Sequence, residues 1–172
     1  MIMSEQLLRE FFPLDGNVVT IFGEFTILWQ LFEKEYCNKM CQIKKLKKIA
    51  NSASKTDHDG ALTQAIADFR IGVTKWATPN FEINLNNVQE RFRFETNTLT
   101  QKDLAQKAVD FLSNSEQDFT KQVHGALLVL HRLRNNLLHG EKEKSTLYLQ
   151  ADMFSCATKV LFALHKLKCP LN

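Results

Sequence analysis

Arg134, Asn135 and His139, within Arg134-Asn135-Asn136-Leu137-Leu138-His139, are the residues of this chain best suited to chemistry. An imidazole has an ordinary pKa of about 6.5, so His139 can take or give a proton near neutral pH. The guanidinium of Arg134 stays charged and can hold developing phosphorane charge bidentately. Asn135 is placed to position either a phosphate or the imidazole. No carboxylate cluster or cysteine–histidine metal pattern accompanies them, so the set suits cleavage of a phosphodiester better than most reactions. RNA supplies its own nucleophile, the 2′-hydroxyl, and neither a metal nor another cofactor is expected. Arg132, Asn136, His131, Lys44 and Lys45 are the candidates for substrate contact.

These residues must be held by helices. On a wheel of about 100° per residue, Val123, Leu127, Leu130 and Leu137 make a narrow apolar stripe with Arg134 in its middle. Arginine is almost never fully buried alone, so Arg134 either pairs inside the fold, with Glu24 or Glu33, or lines a cleft. His139 lies about 140° round the same ideal helix and about 7.5 Å further along it. One straight helix therefore does not aim both side chains at one point. Gly140 is a helix stop signal, so either the chain turn there or a second copy of the helix is needed to bring the pair together.

The motif helix is expected over about residues 116–139, opened by Ser115 with Asp118 three residues on. Ser145 and Thr146 open a following helix over about 146–168. Earlier, Leu7, Leu8, Phe11 and Phe12 suggest a short helix ending before Pro13. Phe22, Phe25, Trp29, Phe32, Tyr36, Met40, Ile43, Leu46 and Ile49 then form a pattern that reads as one long helix. Lys39, Lys44, Lys45, Lys47 and Lys48 fall in its last turns, either as a solvated face favoured by the helix dipole or as a phosphate-tracking patch. Residues 51–59 read as a polar loop, Leu62 to Trp76 as a helix, and Thr100 to Leu112 as another. Residues 80–97 give no clear pattern, and the structure of residues 77–99 is left open. His124 and His131 share one face of the motif helix and border a cleft or an interface; His58 reads as a loop residue.

The chain has 172 residues, 44% of them hydrophobic, with 13 Phe against 6 Gly and 3 Pro, which describes one packed, mostly helical domain. A net charge of +3 permits nucleic-acid contact without arguing for it. The first ten residues are charged and lack an apolar core and a small-residue cleavage site, so no secretory signal is expected. No apolar run is long enough for a membrane span, and a cytoplasmic protein without membrane contact is expected. In that setting Cys37, Cys41, Cys156 and Cys169 stay reduced; Cys37 and Cys41 are one helical turn apart and read as small, partly buried helix residues rather than metal ligands.

The segment Arg134-Asn135-Asn136-Leu137-Leu138-His139 resembles the R-x4-6-H signature of the HEPN superfamily (higher eukaryotes and prokaryotes nucleotide-binding), including its polar residue directly after the Arg. Its position on a late helix followed by another helix is also similar. The resemblance covers roughly residues 115–168. The helical patterns and the lack of strand-like alternation give an all-α, elongated bundle of about five to seven helices over residues 1–172, which fits HEPN domains, and the resemblance implies a homodimer in which two motifs face each other. It further implies metal-independent endoribonuclease activity, with Arg134 and His139 as the catalytic pair and Asn135 beside them. Such domains occur in toxin–antitoxin, antiphage and RNA-processing systems, so an antitoxin or regulatory protein is an expected partner. HEPN toxins paired with a nucleotidyltransferase usually carry Tyr two residues after the His; here that residue is Glu141, which sets this chain apart from them. The other readings are a non-catalytic HEPN-like dimer that binds RNA, nucleotide or protein, and a helical transcriptional regulator using the lysine-rich face.

Overall fold

The computed structural model describes residues 16–77, 99–113, 118–138 and 150–167. Within them the chain forms six helices and no strand: α1 (Gly16–Tyr36), α2 (Ile43–Thr56), α3 (Ala61–Ala77), α4 (Leu99–Ser113), α5 (Phe119–Leu138) and α6 (Ala151–Leu167). The all-α bundle expected from the sequence is the observed architecture. Residues 7–12, 80–97 and 114–117, together with His139, Gly140, Glu141, Ser145 and Thr146, lie outside the described residues. No described helix is long and apolar enough to cross a membrane.

The helices pack as two groups joined by α3. Helix α6 lies against α1 and α3, and α5 lies against α2 and α4 while also touching α3. In α1, Val18, Phe22, Phe25, Trp29, Phe32 and Tyr36 recur at helical spacing, so one stripe is buried and the opposite side is wet. Phe154 of α6 meets that stripe edge-on, with ring centroids 4.5 Å from Phe22 and 4.9 Å from Phe25. At its far end the buried Tyr36 hydroxyl donates to the Leu164 carbonyl at 2.6 Å. Most of this burial joins residues far apart in sequence, so the bundle rather than helix propensity holds α1 in place.

Helix α5 is buried on more than the expected stripe. Ala126, Leu128, Val129 and Leu133 are as enclosed as Val123, Leu127 and Leu130, because α5 has neighbours on several sides. The first turn is held by Asp118, whose carboxylate and carbonyl both accept the Lys121 N–H. Leu137 is only partly buried, and Arg134 lies near the helix end, beyond the continuously buried run.

Three local expectations are corrected. The pattern from Phe22 to Ile49 is two helices, not one. Asn38 and Lys39 have positive φ angles of 52° and 89°, and the Lys39 N–H folds back onto the Glu33 carbonyl at 3.2 Å. Asparagine tolerates this left-handed backbone, which ends the helix. The apolar spacing runs through the turn by coincidence, and Met40, its member inside the turn, is 65% exposed. Consequently Lys44, Lys45, Lys47 and Lys48 lie in the first half of α2 rather than in the last turns of a long helix. Lys45 nevertheless serves a helix C-terminus, since its Nζ donates to the Cys37 carbonyl at the end of α1 at 2.9 Å.

The second correction is that residues 51–56 belong to α2. The loop is confined to residues 57–60, where Asp57 accepts the backbone N–H groups of Leu62 and Thr63 and the Thr63 hydroxyl, so it caps α3. His58 is exposed in this loop, as expected. Third, Cys37 and Cys41 are neither reduced nor on a helix: they flank the α1–α2 turn, both buried, and are joined as a disulfide with Cα atoms 4.8 Å apart.

Helices α4 and α5 approach closely at Gly125. A Cβ there would lie 2.9 Å from Phe111 Cβ, 3.1 Å from Leu112 Cγ and 3.2 Å from the Ala108 carbonyl oxygen. Gly125→Ala gains about 1 kcal/mol of helix propensity but costs about 1–3 kcal/mol of overpacking against atoms that include backbone. Net destabilisation is expected, read as a lower urea midpoint with unchanged m-value.

Candidate functional site

Arg134 projects from the end of α5 towards the outer half of α1. Its Nη2 is 3.6 Å from Glu33 Oε1, an ion pair too long to be a hydrogen bond, and its Nη1 donates to Asn135 Oδ1 at 3.0 Å. The Arg134 side chain is 29% exposed and that of Glu33 12%. Of the two acids considered, Glu33 is the partner. Glu24 is nine residues earlier on the same helix, about 180° round it, and is exposed.

Glu33 does more than pair. Its Oε1 also accepts the Cys41 N–H at 3.2 Å, while the Cys41 carbonyl meets His131 Nε2 at 3.2 Å. A carbonyl only accepts, so Nε2 of a neutral His131 carries the proton. Burial lowers the His131 pKa most; the Cys41 contact opposes this, and the nearby Arg134 charge adds to the lowering. The His131 ring also stands edge-on to Trp29, 6.0 Å between centroids. Thus the backbone of the disulfide-bonded turn is gripped by Glu33, His131 and Lys45, and Arg134 leans on the first of these.

Between α1 and the end of α5 lies a cavity of about 100 Å³ lined by Phe25, Thr26, Trp29, Gln30, Glu33, Arg134 and Leu137. An adjoining, more open hollow of about 360 Å³ shares Gln30 and Glu33 and adds Lys34, Asn38 and Lys39. Trp29 Nε1 and Arg134 Nε, on two of the residues that line the first cavity, are themselves enclosed by protein and have no hydrogen-bond partner. Leaving a buried donor unpaired costs about 1–3 kcal/mol.

The other expected site residues are scattered. His131 is committed to the Cys41 carbonyl and Lys45 to that of Cys37, while Lys44 is exposed on α2. Arg132 is partly buried and engaged in contacts of its own. The side chain of Asn136, and His139 entirely, lie outside the described residues. Sequence reasoning passed over Trp29, Gln30 and Lys34. Trp29 reads from spacing as one more core aromatic, and only its neighbours reveal an N–H left without an acceptor. No protein-family model matches the chain, and neither a characterised protein nor a solved structure does.

His124, on the same face as His131, packs its ring 5.7 Å from Phe111. Burial, followed by the charges of Lys107 and Lys47, pushes its pKa down to about 4. The unfolded chain then binds the proton below pH about 6.5 while the folded one does not until about 4, so stability falls as pH drops through that window. His124→Gln is expected to flatten this part of the pH profile of the urea midpoint. An NMR titration of the His124 ring should show no protonation at pH 6.

Proposed function

We propose that this chain is a homodimeric, metal-independent endoribonuclease of the HEPN type, with Arg134 and His139 of two copies forming one composite cleft. Support comes from the state of Arg134. Its ion pair through Nη2 is long and its side chain is 29% exposed beside a cavity, so hydrogens on its terminal nitrogens remain for a phosphate. In the reaction, a 2′-hydroxyl loses its proton to one imidazole and attacks phosphorus. The 5′-oxygen leaves with a proton from the other, giving a 2′,3′-cyclic phosphate and a 5′-hydroxyl. The guanidinium holds the charge that develops on the non-bridging oxygens. A straight helix does not converge Arg134 and His139, which is the reason for placing two copies at the site.

The Arg134–Glu33 pair favours a second reading, a HEPN-like dimer that binds RNA, nucleotide or a protein partner without chemistry. There Arg134 would mainly steady Glu33 against the Cys41 turn.

The two readings separate on mixed RNA in excess EDTA. The nuclease reading expects cyclic-phosphate ends from the wild type and at least a hundredfold slower cleavage by His139→Ala and Arg134→Ala, with size-exclusion profiles unchanged for His139→Ala. Equal cleavage by wild type and His139→Ala, or none by either over a broad RNA panel, would sink it.

A further inference from the structure

The cations of this chain are unevenly placed. Helices α2 and α5 together hold eight of its 22 Lys and Arg and none of its 19 Asp and Glu. They lie side by side and antiparallel: the Cys41 carbonyl, just before α2, meets His131 Nε2 at 3.2 Å, and the Ser54 and Thr120 hydroxyls meet at 2.8 Å towards the other end. On α2, Leu46, Ile49, Ala50 and Ala53 face inwards, so Lys44, Lys48 and Lys55 fall within about 40° of one another on the opposite side, in a row about 16 Å long. All three are exposed, as are Lys47 on the flank of α2 and Lys107 on α4. Lys47 and Lys107 approach His124 of α5 from its two sides closely enough for both charges to act on it. Asp110, one turn beyond Lys107, accepts from the Gln106 amide at 2.7 Å.

This placement works against the helix that carries it. The first turn of α2 has no acid, and Lys44 and Lys45 stand where the helix dipole disfavours cations. Lys44 also repels Lys47 and Lys48, three and four residues on. Lys45 is used inside the fold, on the Cys37 carbonyl, but the row and its flank point outwards. A surface that breaks local rules of helix stability marks a function rather than a requirement of the fold. We propose that the outer face of α2, continued through Lys47 to Lys107 across His124, is a track for the phosphodiester backbone of a nucleic-acid strand. A row of ammonium groups on flexible stems follows a repeating charge without reading bases. A protein partner fits less well, because α2 has none of the large exposed apolar side chains and protein interfaces are poor in lysine. The Lys44 end of the track adjoins the turn held by His131, one helical turn before Arg134, so a strand lying on it leads to the candidate site. That the strand is RNA rests on the ribonuclease reading; the track itself does not.

A fluorescent strand of about twelve 2′-O-methyl nucleotides tests the track, since it lacks the 2′-hydroxyl nucleophile and is bound without being cut. Its anisotropy is followed against full-length protein at several salt concentrations. Wild type is compared with Lys44→Gln/Lys48→Gln/Lys55→Gln, with Lys47→Gln/Lys107→Gln, and with Lys159→Gln/Lys166→Gln on α6, which removes as much charge as the second variant from another helix. The row variant should bind about tenfold more weakly or worse, with a log–log salt slope shallower by about 2. The flank variant should bind about threefold more weakly with a slope shallower by about 1.4, and the α6 control should stay within about twofold of wild type. Urea midpoints of the row and flank variants should not fall below that of the wild type, which separates lost contact from lost folding. No binding by the wild type, unchanged binding by the row and flank variants, equal weakening by the α6 control, or polyglutamate of similar length competing as well as the strand would overturn the inference. Lysine-dependent binding with no RNA cleavage by the wild type defeats only the nuclease reading, and cleavage with lysine-independent binding defeats only the track.

Discussion

The burial of α5 is the constraint on which the rest depends. From Val123 to Leu133 it presents apolar side chains in several directions, and α2, α3 and α4 gather round it. The closeness of α4 is set by Gly125, where even a methyl group would collide with side chain and backbone. A helix enclosed this way has its rotation and depth fixed by packing. Residues just beyond its enclosed run are therefore delivered to a defined place: Arg134 arrives where the core ends and α1 passes by.

The second organising element is the turn between α1 and α2. Its backbone leaves helical geometry at Asn38 and Lys39, and buried polar groups of such a turn need partners. Glu33 takes the Cys41 N–H, His131 the Cys41 carbonyl and Lys45 the Cys37 carbonyl, so α1, α5 and α2 each contribute one side chain. The disulfide closes the same turn. Arg134 meets this network through the long contact with Glu33, and its charge also acts on His131.

The fold class and much of α1, α3, α5 and α6 were legible from helical spacing of apolar residues, since each of these helices buries one long face or more. The break after Tyr36 was not, because Phe32, Tyr36, Ile43 and Leu46 keep helical spacing across the turn; the one local clue was Asn38, a residue that accepts a left-handed backbone. Nor was the reach of α2 to Thr56, where small and polar residues pack through Ala50 and Ala53 and look like a loop. Among site residues, Arg134 stood out as a charge in an apolar stripe. His131 and Lys45 were visible as candidates, but their partners are backbone carbonyls, which every residue has and no sequence pattern marks.

By itself the sequence determined that the chain is helical, that Arg134 is a charge in the middle of an apolar helix stripe, and that a single straight helix does not aim it and His139 at one point. These conclusions come from residue periodicity, which is a local property. Only the tertiary structure decided that Glu33 rather than Glu24 meets Arg134, that the two cysteines close a turn, and that Trp29 carries an N–H without an acceptor. Each of those depends on which helix lies opposite and at what depth, and that is set by the joint packing of side chains distant in sequence.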